Sequence, residues 1–173
     1  MTGEYFLHVV YDSRLNIPLM SARSYCTHRD IIAELGGGEK ELLLYDHGTG
    51  KRKLCGVESI LDSRDNVSFL VDRISQQFRN SPKVKRFRGL IYCLLFRSLY
   101  IAHKGARNVY SLVRIDDSEL LLSRYIQLGL NIIGKTNYKV GNVDRNHWIL
   151  KGDLIKIKAL LPLRIQTLKE IYR

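Results

Sequence analysis

The sequence is poor in most of the features that announce a chemistry. It has only three cysteines in 173 residues. Cys26, Cys55 and Cys93 form no C-x-x-C pair, and an odd total excludes a simple disulfide framework. The chain therefore reads as one suited to a reducing compartment. Five scattered histidines supply no zinc constellation. Only three prolines occur, and no Ser/Gly/Pro-rich linker separates two obvious domains. The longest apolar run, Gly89 to Phe96, is stopped by Arg97 and is too short to cross a bilayer. The first residues, Met1 to Tyr5, carry neither a basic signal region nor an Arg-rich presequence.

Catalytic signatures are missing as well. No Ser-His-Asp order or G-x-S-x-G elbow is present. Gly36-Gly37-Gly38 lacks the Lys-Ser/Thr of a phosphate loop and sits at a predicted helix end. Cys26 and His28 are two residues apart on a predicted helix and so point to different sides. Asp144-Arg145-Asn146-His147-Trp148 contains residue types that nucleases use, without the carboxylate cluster that holds a divalent metal. Asp12, Asp62, Asp65 and Asp72 show no convergent spacing. The expectation is a protein that is not an enzyme and carries no cofactor or metal.

What is present is a folding composition with a one-sided charge. The chain is 45% hydrophobic and 26% charged, as in ordinary globular proteins. The net charge is +11. Residues 1–80 hold 10 Lys/Arg against 11 Asp/Glu, whereas residues 81–173 hold 18 against 6. Such asymmetry suggests a near-neutral half built for folding and a half that meets polyanions. The basic half opens on Lys83-Val84-Lys85-Arg86-Phe87-Arg88, four cations and an aromatic that suit phosphate contact and base stacking. Arg97, Lys104 and Arg107 extend the candidate surface.

Pattern gives the elements. Tyr5–Val10 reads as a buried strand, and apolar spacing suggests a helix from about Ser21 to Leu35, ended by the glycines. Glu41–Tyr45 and Lys51–Cys55 read as a hairpin. Val57–Leu61 begins a helical piece, and Asn66 caps a helix bearing Phe69, Leu70, Ile74 and Phe78. Leu90–Ala102 is the most apolar helix. Asp116 to Glu119 opens another, running to Leu130 and ending near Gly134. Tyr138–Val140 and Trp148–Leu150 read as short strands. Asp153 caps a last helix, kinked at Pro162, with Ile165, Leu168 and Ile171 facing inward.

Three places make the sequence resemble the DCC family of predicted thiol-disulfide oxidoreductases. They are Val9-Val10-Tyr11-Asp12, then Gly50 with Gly56–Leu61, and then Tyr100, Arg107 and Tyr110, with Ala106 where the family has Asn. The resemblance implies a thioredoxin-like fold and an Asp-x-x-Cys-x-x-Cys site. Asp12 is kept, but Leu15 and Pro18 occupy the cysteine spacings. With a two-residue insertion, Ile17 and Met20 stand there instead, and neither can exchange a disulfide. The expected fold class is therefore α/β: a reduced thioredoxin-like unit (strand-helix-hairpin-helix) over 1–80, then a mainly helical, basic C-terminal extension over 81–173 packed on it.

The expected function is a non-catalytic subunit of a larger assembly, a mitochondrial ribosome or a respiratory-type complex. Its partners would be other subunits and RNA, with peripheral membrane contact as a further option. The alternatives are a thiol-disulfide oxidoreductase of the DCC type and a stand-alone nucleic-acid-binding protein. The expected location is mitochondrial, otherwise cytoplasmic.

Overall fold

The structure, a computed structural model, describes residues 18–36, 53–62, 64–71, 87–116, 119–140 and 143–172. Among these, six strands and four helices follow in order: β1 (Pro18–Thr27), α1 (His28–Leu35), β2 (Lys53–Asp62), β3 (Asn66–Val71), α2 (Arg88–Ala102), β4 (Asn108–Arg114), α3 (Glu119–Gln127), β5 (Leu130–Val140), β6 (Val143–Asp153) and α4 (Leu154–Ile171). The strands form one mixed sheet in the order β1-β2-β3-β4-β6-β5. Every neighbouring pair is antiparallel except β3 and β4.

This corrects the expected fold class. The C-terminal half is not a mainly helical extension: it contributes β4, β5 and β6, half of the six-stranded sheet. The helix expected from Ser21 forms only from His28, because residues 18–27 pair with β2 and the chain turns at Thr27. There Thr27 and Asp30 build a reciprocal capping box, and the Asp30 carboxylate accepts from the Thr27 N–H at 2.6 Å. Gly36 ends the helix at φ 90°, as the glycine run suggests. Val57–Leu61 and Asn66–Val71 are strands rather than helices. Their β-branched residues favour a pleated surface, and cross-strand pairing stabilises it. The predicted strand at 5–10 and the loop of the hairpin at 41–50 lie outside the described residues.

The predicted helices of the second half fare better. α2 is apolar nearly all round and is buried from Leu90 to Phe96. α3 stops at Gln127 because Gly129, at φ 104°, turns the chain into β5. The two short strands expected near Gly141 prove to be long ones. Asp153 caps α4 by accepting from Ile155 N (3.0 Å) and Lys156 N (3.1 Å). Ile165 packs inward and Leu168 lies partly buried against the core, but Ile171 is exposed.

Packing places the helices. Residues paired across strands share a face, so Ser59, Phe69 and Ser111 point to one side. Phe69 meets Phe96 of α2 at 5.1 Å and Tyr125 of α3 at 6.0 Å, both edge-on. α4 lies beside α2 on that side, with Phe87 and Tyr172 rings 4.8 Å apart. α2 runs back along the sheet from the end of β3 to the start of β4. Its far end is pinned there by Arg107 N–H donating to Asp65 C=O at 2.9 Å.

Candidate active site at the parting of two parallel strands

β3 and β4 pair over only four positions, from Asn66↔Asn108 to Phe69↔Ser111. Beyond these the strands part company. Leu70 pairs with Glu58 and Val71 with Val57 on β2, while Leu112 and Val113 pair with Ile149 and Trp148 on β6. A crevice thus opens between the carboxyl ends of the only parallel pair among the described strands. Ligands of open α/β sheets settle in this kind of place. Ser111 closes its floor, its hydroxyl donating to Phe69 C=O at 3.3 Å.

Because α2 runs antiparallel to β3 and β4, its N-terminus lies at the same end of the sheet as the crevice. No side chain caps it and no acid lies in its first turn. The first-turn N–H groups and the positive end of the helix dipole are thus available to an anion. Beside this turn is a cavity of about 150 Å3, lined by Gly89, Tyr92, Cys93, Arg124, Gln127 and Arg164 among others. Arg164 donates to the Gln127 side chain. Arg124 is half-buried, 5.9 Å from the Tyr92 ring centroid, and has no carboxylate or hydrogen-bond partner among the described residues. Burial lowers its pKa, and the neighbouring Arg88 pushes the same way against the tyrosines. A desolvated cation of this kind is stabilised by an incoming anion.

Tyr125 stands on the helix side of Phe69, where the pairing of β3 and β4 ends. Its ring packs against Phe69, Tyr92 and Phe96. Its phenol makes no hydrogen bond among the described residues, and burial raises its pKa well above the usual value. It therefore stays protonated and able to donate.

A second polar pair is sealed. Ser59 Oγ lies 2.7 Å from His103 Nε2, and the hydroxyl also reaches Ala22 C=O at 3.3 Å. Both side chains are buried at the opposite end of α2 from the crevice, and the contact ties that end of the helix to the sheet. Burial lowers the His103 pKa and keeps the ring neutral.

Arg88 is the first residue of α2 and stands beside the Arg124 cavity. Arg97 is on the same helix, paired with Glu34 at 3.1 Å. Lys104 and Arg107 are exposed beyond its other end. The four are therefore strung along α2 rather than gathered. Lys83, Lys85, Arg86, Asp12 and Ile17 lie outside the described residues, and Met20 is placed in β1. Arg124, Arg164 and Tyr125 were not anticipated. Their signal lay in the unread strand Val109-Tyr110-Ser111-Leu112-Val113, which would have completed a strand-helix-strand unit.

No family model matches the chain, and no curated protein does. Solved structures do. Mutant forms of the Vibrio cholerae spermidine/spermine N-acetyltransferase SpeG align at TM-score 0.51 and 11% identity, over 81% of this chain and 98% of that one. Arabidopsis thaliana NAA60, bound to a bisubstrate analogue, aligns at TM-score 0.51 and 9% identity, over 77% of this chain and 76% of that one. With a chimera of the Vibrio cholerae spermidine N-acetyltransferase, the alignment spans 63% of each chain at 14% identity and TM-score 0.48. The fold is the GNAT N-acetyltransferase fold.

This overturns the likeness to the DCC family and the thioredoxin-like fold that followed from it. Gly56–Leu61, where the resemblance implies a helix after the hairpin glycine, belongs to strand β2. The expectation of a non-catalytic ribosomal or respiratory subunit falls with that likeness, because it was built on a thioredoxin-like scaffold that the chain does not have, and the fold is one that solved N-acetyltransferases adopt. The thiol-disulfide alternative fails on the thiols themselves. All three cysteines are buried, and burial raises the pKa of Cys93 to about 11 and that of Cys26 further. Neither offers the thiolate that exchange requires.

Proposed function

We propose that the chain is an N-acetyltransferase that takes its acetyl group from acetyl coenzyme A and passes it to an amine. The observation that carries this reading is the parting of β3 and β4 beside an uncapped helix N-terminus and an unneutralised arginine. The fold is one on which solved acetyltransferases are built.

Coenzyme A suits these residues. Its phosphates match the first-turn N–H groups of α2 and the guanidinium groups of Arg88, Arg124 and Arg164. The separated edges of β3 and β4 offer backbone groups to an extended, amide-bearing arm. Coenzyme A bound there would supply an activated acetyl thioester, the difficult part of the chemistry. The protein's part is to hold and orient. The crevice fixes the direction of approach, the cations neutralise the donor, and the Tyr125 phenol donates a hydrogen bond where negative charge develops on the departing sulfur.

Calorimetric titration with coenzyme A tests the reading. Binding should weaken as salt rises, because several cations meet the phosphates. Binding that Arg124→Met and Arg164→Met leave unchanged would remove the basis of the assignment.

A further inference from the structure

We infer that α4 is a docking face for an anionic membrane surface. The inference is independent of the catalytic reading. A helix packed on a core by one stripe ordinarily turns polar groups outward. The buried stripe of α4 is Leu154, Ile157, Leu161 and Ile165. Its outward side carries a second apolar stripe: Ile155, Ala159, Pro162 and Leu163, all exposed, with Ile155 at 57% and Leu163 at 69%. Ile101, at the end of α2, is 63% exposed and joins this crest across a groove of about 510 Å3. Apolar surface clustered in this way marks an interaction site rather than ordinary scatter.

Charge decides the occupant. Lys158 and Lys169 run along one flank of the crest and Lys156 lies on the other, while beyond Leu163 the same side continues with Gln166 and Glu170, the only acid in the helix. Lys156, Lys158 and Lys169 have no carboxylate partner among the described residues; Lys158 instead lies 4.1 Å from the Tyr100 ring centroid. An apolar crest flanked by cations, about 12 Å long from Ile155 to Leu163, matches a helix lying in a lipid headgroup layer. A second copy of this chain fits poorly, because a two-fold contact would set these cations against their own counterparts. No helix among the described residues is long and apolar enough to cross a membrane, so the contact would be peripheral.

Vesicle flotation of the full chain tests this. Vesicles of phosphatidylcholine with added phosphatidylserine should bind the protein, and vesicles of phosphatidylcholine alone should not. Each cation near an anionic surface contributes a factor of about five. Lys156→Gln with Lys158→Gln should therefore weaken binding roughly 30-fold, and Leu163→Glu should abolish it, with circular dichroism unchanged in both. The double lysine variant keeps the test valid if Leu163→Glu misfolds. Equal binding to both vesicle types, no binding to either, or binding unaffected by the lysine changes overturns the proposal. So does concentration-dependent self-association that Leu163→Glu removes, which would assign the face to a second copy.

Discussion

Replacing Tyr125 by phenylalanine separates catalysis from architecture in one atom. The ring contacts with Phe69, Tyr92 and Phe96 survive the change. The hydroxyl that is lost has no hydrogen-bond partner among the described residues, so stability should change by less than about 1 kcal/mol. In a protein of this size that is a melting shift of under about 4 °C. Its proposed work is different: a hydrogen bond from the phenol to charge developing on sulfur. Hydrogen bonds to charged groups contribute about 1.5–3 kcal/mol, which is roughly a 10- to 150-fold loss of kcat. The assay is release of free thiol from acetyl coenzyme A at saturating donor and amine, run beside thermal denaturation. A rate within about twofold of wild type, at an unchanged melting temperature, would refute the role given to Tyr125.

Three further outcomes are expected. Arg124→Met should raise KM for the donor roughly tenfold with little effect on kcat, and should not lower the melting temperature, because a desolvated cation near Arg88 is removed; an unchanged KM contradicts the anion site. Asp153→Ala removes both side-chain contacts to the first turn of α4 and should cost about 1 kcal/mol in urea denaturation; no loss would mean the cap is replaced by solvent. His103 is held below its ordinary pKa of 6.5 by burial, so the unfolded chain takes up a proton there before the native one does. Stability should fall as pH drops below about 6.5, and His103→Gln should flatten that slope in denaturation series across this range. A slope that persists unchanged in the variant assigns the acid sensitivity to other groups.

The helices of the second half were legible because their signals are local. An unbroken apolar run marks α2, and Asp153 stands directly before α4. The strands of the first half were not. Cys26, Ile31, Ile32 and Leu35 carry a helical spacing across what is in fact a strand-to-helix junction at Thr27. Asn66 looks like a cap until β2 and β4 are placed on either side of it. The candidate site is a property of register. Phe69 and Ser111 are 42 residues apart, and nothing in either segment says that their pairing stops there. Arg124 reads in sequence as one more cation on a helix. Only the packing of α3 against α2 shows that it is half-buried without an acid. The family resemblance failed for a related reason: its scattered aromatic, glycine and arginine positions constrain no strand order.

Transfer of an acetyl group by this chain can be measured directly. Purified protein, acetyl coenzyme A and a panel of amines, polyamines and peptide N-termini included, can be followed together by thiol release and by mass spectrometry of the acceptors. At least one amine should gain an acetyl group in step with thiol release, and Tyr125→Phe should slow both alike. Tight, salt-sensitive binding of acetyl coenzyme A with no acetylated acceptor and no thiol release above the uncatalysed rate would contradict the proposed function.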